Sequence, residues 1–372
     1  MVKKLIRAAV THTPDSPYKI EEVELAEPKN DEVLVKIVAC GLCHTDEFGK
    51  QIGIRMPIVL GHEGAGIIEK TGADVKGFEV GDHVVFSFAT CGHCRSCVSG
   101  QPAYCENFNQ INFGGIGADG TTKLFQDGKE LSMFFGQSSF AQYSTVNARN
   151  IVKVDKDVDL SMVAPFGCGI QTGAGAVLNA IKPNVEDSIA VFGCGAVGMS
   201  AIMAAKVAGC RQIIAVGGNA RSLELAKELG ATDVVNRKML DDNVTIAEAE
   251  QEVSHGGVNY AIDTSGNGNM IMNAIKATAY HGTIVVLAPT GKLENLDVGA
   301  EILMMTRTIR PCYEGDSVPQ IFIPRLVQLY KEGKFPVDKI IEQYAFEDIE
   351  QARIDSDSGK VIKAVVVMNE QG

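Results

Sequence analysis

Ser188-Ile-Ala-Val-Phe-Gly193-Cys-Gly195-Ala-Val-Gly198 joins a short apolar run to the pattern G-x-G-x-x-G, and a helical stretch, Gly198–Ala208, follows. Glycines in such a turn let the backbone approach a pyrophosphate closely, and the next helix N-terminus favours its charge. The pattern alone is common. With a strand before it and a helix after it, it points to a dinucleotide-binding turn rather than a purely structural one. Gly193, Gly195 and Gly198 are therefore candidate cofactor contacts.

Downstream, apolar runs at Gln212–Val216, Tyr260–Asp263 and Thr283–Leu287 alternate with helical stretches at Ser222–Leu229 and Asn269–Tyr280. Strands alternating with helices imply βαβ units and a doubly wound parallel sheet of the Rossmann type. A site for NAD usually carries Asp or Glu at the end of the second strand, where it accepts the ribose 2′-hydroxyl. Here Ile214-Ala-Val216 runs into Gly217-Gly218-Asn219-Ala220-Arg221, with no carboxylate. A carboxylate would repel a 2′-phosphate, whereas Arg221 is a fork-shaped donor for one, so the segment favours NADP. The alternative is a permissive site that takes either cofactor.

Upstream, to about residue 155, Val, Ile and Gly predominate and turn signals recur, so Glu32–Ala39 and Gly81–Phe88 read as strands. The tail holds an amphipathic helix, Pro319–Lys331, and ends in an apolar run, Ala364–Met368. The chain is thus α/β, with a strand-rich first part, a parallel-sheet region after it and a mixed tail. Its 372 residues suffice for two or three domains without external staples.

With 34 Lys+Arg against 46 Asp+Glu the net charge is −12, which argues against nucleic acid or an anionic membrane as a partner. Leu160–Ile181 and Ser188–Ala205 carry no charge and are long enough to span a bilayer. Pro165, Gln171, Asn179 and clustered glycines make them read as buried strand–turn–helix segments instead. The apolar run after Lys3, Lys4 and Arg7 is too short for a signal peptide, so a cytoplasmic setting is expected.

Four of the 10 cysteines form Cys91-Gly-His-Cys94-Arg-Ser-Cys97-x₇-Cys105, a spacing that wraps four thiolates around one structural zinc ion. The bacterial iron–sulfur pattern places its fourth cysteine three residues on, before proline, and fails here. A second constellation is more scattered. Cys43-His44-Thr45-Asp46 follows one predicted strand, Gly61-His62-Glu63 another, and Cys168 lies in the glycine-rich Pro165–Gly175 segment. Two thiolates and an imidazole are a set used where zinc keeps an open position, with Asp46 and Glu63 as groups that orient the ligands. Spacing does not choose Cys43 over Cys40, or Cys168 over Cys194 and Cys210.

Taken together, Gly61-His62-Glu63-Gly-Ala-Gly66-x₅-Gly72, Cys43-His44-Thr45-Asp46, the four-cysteine lobe and Gly167-Cys168-Gly169-Ile170-Gln171-Thr172-Gly173 come in a telling order. The sequence resembles the zinc-containing medium-chain alcohol dehydrogenase family over essentially its whole length. Gly167–Gly175 and Phe135-Gly-Gln-Ser-Ser-Phe140 are most similar to its benzyl (aryl) alcohol dehydrogenase branch.

The resemblance implies a GroES-like catalytic domain over 1–169, with a structural zinc lobe at about 88–110. A Rossmann domain follows over 170–312, and the chain returns to the catalytic domain over 313–372. It implies two zinc ions, one catalytic on Cys43, His62 and Cys168 and one on the four-cysteine lobe. Thr45 would relay the alcohol proton. Thr172 and Val197 match positions lining the nicotinamide, and His44 and Lys363 match cofactor-phosphate positions. Gly217, Gly218, Asn219 and Arg221 would face the adenosine ribose. Homodimers or homotetramers are expected.

One departure concerns the proton path. Many relatives carry histidine five residues after the first zinc cysteine, where this chain has Phe48, so the path must end on His44, water or the cofactor ribose. Phe48 and Phe88 are candidate walls of an aromatic substrate pocket. The expected reaction interconverts a primary, aromatic or allylic, alcohol and its aldehyde with NADP. The alternatives are an NAD-linked or dual-cofactor enzyme of broader, secondary-alcohol or polyol specificity, and a catalytically silent cofactor- or zinc-binding protein. Cobalt or iron would also suit the ligands.

Overall fold

Each apolar run of the parallel-sheet region becomes one strand of a six-stranded sheet. The computed structural model describes residues 3–288 and 292–368. The strand order across this sheet is Asp233–Asn236, Gln212–Gly217, Ser188–Phe192, Val258–Asp263, Thr278–Val286, Thr308–Pro311. Every neighbouring pair is parallel. The chain begins in the middle, winds to one edge, then crosses back and winds to the other, which is the Rossmann order. All of Ser188–Phe192 is buried, as expected of a strand covered on both faces.

The turn after Ser188–Phe192 is as tight as its glycines allow. Gly193 has φ +111, and a Cβ on Gly198 would lie 1.9 Å from the Gly193 carbonyl oxygen. The helix Ala196–Ala208 that follows is buried from Gly198 through Ala205. It packs against Gly169–Gly175, where Ser200 Oγ donates to the Ile170 carbonyl at 2.5 Å. The uncharged Leu160–Ile181 run is thereby spent on short buried helices, and no helix among the described residues is long and apolar enough to cross a membrane.

One stretch folds differently from its periodicity. The helical pattern Asn269–Tyr280 ends at Ala277, and Tyr280 lies on the strand Thr278–Val286. β-Branched Thr278 turns its hydroxyl back to the Ala274 carbonyl at 2.7 Å and starts the strand.

The second unit of the molecule comprises Gly169–Ser317 and Leu329–Pro336; the first takes the chain up to Cys168, Val318–Gln328 and Val337 onward. The first unit is mainly β. One sheet has the order Ile58–Val59, Lys3–Thr11, Lys19–Ala26, Leu124–Gln126, Lys129–Glu130. The other runs Ile151–Val154, His83–Phe86, Glu63–Thr71, Glu32–Gly41, Lys363–Val367, Ile341–Ala345, and Tyr143–Asn147 also pairs with Glu32–Gly41. Its register pairs Gly41 with Glu63 on one side and with Val365 on the other. Three strand ends, those leading to Cys43, Glu63 and Lys363, therefore meet at one place.

Candidate metal centres and dinucleotide site

Cys43 ends the loop after Glu32–Gly41 and caps the helix His44–Gln51. Asp46 completes a capping box, its Oδ2 accepting from the Cys43 amide at 3.0 Å. Its Oδ1 accepts from the Gly61 amide at 3.0 Å and meets His62 Nδ1 at 2.8 Å. One buried carboxylate thus ties the cysteine loop to the histidine loop and fixes the imidazole tautomer, leaving Nε2 for a ligand. That Nε2 is buried and has no hydrogen-bond partner among the described residues.

Cys43, His62, Glu63 and Cys168 bring one ligand atom each to within 4.8 Å of one another. Of the alternatives left open by spacing, Cys40 is instead buried with its sulfur 3.1 Å from Ser139 Oγ. Cys194 and Cys210 lie in the second unit. A hydrogen bond with Cys168, the nearby His62 and the Lys363 charge hold the Cys43 thiol well below the ordinary range despite burial. Burial, reinforced by Cys43, lifts Glu63 to about 7 against the pull of Lys363. Burial disfavours the charged form of His62, but Asp46 outweighs it and raises the imidazole well above its usual value. A low-pKa thiol, a second thiol and a partnerless imidazole nitrogen in a dry pocket suit a borderline-soft divalent cation.

Lys363 is 3% exposed and points inward, pairing with Glu63 and donating to the Leu42 carbonyl at 2.8 Å. Gly41 makes room for this pair: a Cβ there would lie 2.0 Å from Glu63 Oε2. His44 is exposed and lines a small pocket with Tyr18, Arg353 and Asp357, while Thr45 is half-buried.

Phenylalanines surround the centre. Phe135 stacks on the His62 ring at 4.6 Å and Phe134 meets its edge at 5.5 Å. Phe113 contacts both, and Phe48, 41% exposed, packs edge-on against Phe113 at 6.1 Å. Phe88 is buried against Phe108. Phe113 and Phe134 carried no periodic signal that set them apart from ordinary core. Phe135 and Gln137 lie in the stretch Phe135–Phe140 that carried the resemblance, and the Gln137 amide donates to the His62 carbonyl at 2.9 Å.

Cys91, Cys94, Cys97 and Cys105 also gather, with sulfur pairs at 3.9 Å (Cys91–Cys97) and 4.0 Å (Cys94–Cys105). Tetrahedral zinc with thiolate bonds of about 2.3 Å requires sulfurs about 3.8 Å apart, so the lobe fits that ion. Burial works against the Cys91 thiolate, but backbone amides outweigh it and hold the Cys91 and Cys94 thiols below the ordinary range, while burial raises Cys97 and Cys105. All four are free of disulfides. Arg149 donates to the Cys91 carbonyl and anchors the lobe.

In the second unit, Gly193 and Gly195 form the turn, and half-buried Val197 and buried Gly198 lie in the first turn of the following helix. Thr172 is buried, its hydroxyl 3.4 Å from Glu314 Oε2. Gly217 ends its strand and Gly218 follows it; Asn219 caps the helix Ala220–Leu229, and Arg221 is exposed on that helix.

A nucleotide-binding parallel sheet and a β domain bearing two metal donor sets define a metal-dependent oxidoreductase. Comparison with known proteins narrows this. Residues 29–156 match the alcohol dehydrogenase GroES-like domain and residues 196–332 the zinc-binding dehydrogenase domain. The chain is 39% identical over 365 residues, 97% of each protein, to geraniol dehydrogenase of Castellaniella defragrans. Among solved structures, an alcohol dehydrogenase zinc-binding domain protein from Burkholderia ambifaria shares 44% identity (TM-score 0.94), covering 99% of this chain and all of that one. Benzyl alcohol dehydrogenase from Acinetobacter calcoaceticus shares 42% (TM-score 0.92), covering 98% of this chain and 100% of that one. The chain belongs to the zinc-containing medium-chain alcohol dehydrogenase family, and it is a zinc-dependent alcohol dehydrogenase.

Proposed function

We propose that this enzyme interconverts a primary aromatic or allylic alcohol and its aldehyde, with NADP in preference to NAD. The observation that carries the substrate class is the phenylalanine cluster on one side of the Cys43–His62–Cys168 set: Phe134 and Phe135 contact His62, Phe113 contacts both, and Phe48 and Phe88 extend the cluster through Phe113 and Phe108. Flat, apolar walls gain most from a flat, apolar substrate. Similarity to proteins named geraniol and benzyl alcohol dehydrogenase supports the same class.

Cys43, His62 and Cys168 would hold the catalytic zinc, and the four-cysteine lobe the structural one. Zinc, when bound, supplies a Lewis acid for the alcohol or carbonyl oxygen, and the nicotinamide supplies the hydride acceptor or donor. Asp46 keeps the His62 ring oriented. Thr45 accepts the alcohol proton on its hydroxyl and passes it onward. Phe48 has no exchangeable proton, so the path from Thr45 ends on exposed His44, on solvent or on the cofactor ribose. Glu63 and Lys363 hold compensating charge behind the ligands.

The absence of a carboxylate at Gly217–Asn219 supports NADP. Free thiols at all 10 cysteines suit a reducing cytoplasm. The edge strand Thr308–Pro311, unpaired on one side among the described residues, supports a homodimer. The test is kcat/KM for benzyl alcohol, geraniol and ethanol with each cofactor. Preference for the first two alcohols and for NADP⁺ is expected. Better turnover of ethanol would remove the substrate assignment, and equal or better turnover with NAD⁺ would remove the cofactor assignment.

A further inference from the structure

The strand Asp233–Asn236 runs parallel to Gln212–Gly217, with Asn236 opposite Gly217. The pairing continues one residue further: the Arg237 amide donates to the Gly217 carbonyl at 2.8 Å. This bond fixes the base of Arg237 beside the Gly217–Gly218 corner, and its side chain then crosses that corner. A Cβ built on Gly218 would lie 3.0 Å from Arg237 Nε and 3.2 Å from one of its terminal nitrogens. The guanidinium therefore occupies the space into which a side chain at residue 218 would project.

Arg237 is exposed, as is Arg221 on the neighbouring helix. Among the described residues, no carboxylate forms an ion pair with either. In a chain of net charge −12, two arginines without acidic ion-pair partners, one lying across Gly218 and one three residues beyond it in the chain, are a ready anion site. A guanidinium presents parallel N–H donors that match a phosphate bidentately, and it stays charged at any working pH.

We propose that Arg237 is the principal determinant of selectivity for the 2′-phosphate of NADP, with Arg221 as the second arm of the same cradle. This rests on the reading of the second unit as a nicotinamide-cofactor site. Arg237 comes from the third strand, not from the glycine-rich turn or the helix after the second strand. A scan that stops about 20 residues after G-x-G-x-x-G finds Arg221 and misses it.

The test is equilibrium binding, independent of turnover: calorimetric titration of the purified enzyme with 2′,5′-ADP and with 5′-AMP. The wild type should bind 2′,5′-ADP at least about tenfold more tightly, as expected for charge-assisted hydrogen bonds to one phosphate. Arg237→Gln should lose most of that ratio while its 5′-AMP affinity stays within about twofold, and Arg237→Lys should restore part of it. Arg221→Gln should lose less. Gly218→Asp should invert the preference by placing a carboxylate against the guanidinium. If Arg237→Gln keeps the wild-type ratio and Arg221→Gln abolishes it, Arg237 is not the determinant, and the NADP reading stands on Arg221. If the wild type itself shows no preference, the NADP reading fails along with the proposal.

Discussion

Asp46 shows how much of the candidate metal centre hangs on one side chain outside the proposed ligand set. It is 1% exposed and spends both oxygens on backbone amides and His62 Nδ1. Carboxylates in this position commonly contribute about 10–100-fold to metal affinity or activity. Asp46→Ala should lower kcat/KM by that order and bring the zinc content of the purified chain from two ions towards one. Emission spectrometry alongside kinetics checks this. Unchanged zinc content and turnover would show that Cys43 and His62 are positioned without Asp46. Cys43, His62 and Cys168 were weak signals one by one, since a lone cysteine or histidine is more often packed than ligating, and only the likeness to the family's motifs put them together. Spacing alone could not, since their meeting depends on a register that sets Gly41 against Glu63. Arg237 was invisible for the same reason: an exposed arginine acquires meaning only when a neighbouring strand sets it across Gly218.

Among the elements, those of the parallel sheet were the most legible, because every strand there is a short apolar run between turn signals. Where propensity was ambiguous, tertiary context decided. Met270 through Ala277 satisfies helical periodicity, but Thr278 belongs to the next strand. The helix Ile246–Ser254 contains a feature that no pattern announced. Its Glu250 is fully buried, and burial, only partly offset by the Ser254 hydroxyl, pushes it up from 4.5 to about 8. A carboxyl with a raised folded-state pKa adds no pH-dependent cost well below about pH 4.5, where both states are protonated. It destabilises increasingly as the pH rises towards about 8, because only the unfolded chain ionises freely. Glu250→Gln should therefore flatten the fall in stability between pH 5 and 8, and should gain about 1–3 kcal/mol at the alkaline end. Calorimetric midpoints at several pH values measure it; curves that stay parallel for the two proteins would sink the idea.

Across the whole molecule, the second unit's sheet ends on Thr308–Pro311, a strand with one edge unpaired among the described residues. Leu303 and Met304, 73% and 71% exposed, precede it, and Ile309 lies on it. An open edge beside exposed apolar side chains is an association site unless something covers it. A second copy related by a two-fold axis would cover both edges at once. Leu303→Asp combined with Ile309→Lys should convert a dimer to a monomer in light scattering, with the secondary-structure spectrum preserved. A wild type that is already monomeric would contradict the dimer, as would a double variant that remains dimeric.

The corner at Gly217–Gly218 has a consequence for descent. Where a glycine codon ends in a pyrimidine, a single base change turns it into an aspartate codon. At Gly218 the atoms nearest a new side chain are the far end of one flexible arginine rather than backbone. Such a mutant would find its partner already waiting and would not have to repack a core. Where Gly218 has such a codon, the proposed preference for NADP lies one nucleotide from its opposite, and a chain with this corner can follow whichever nicotinamide pool its cell keeps more oxidised.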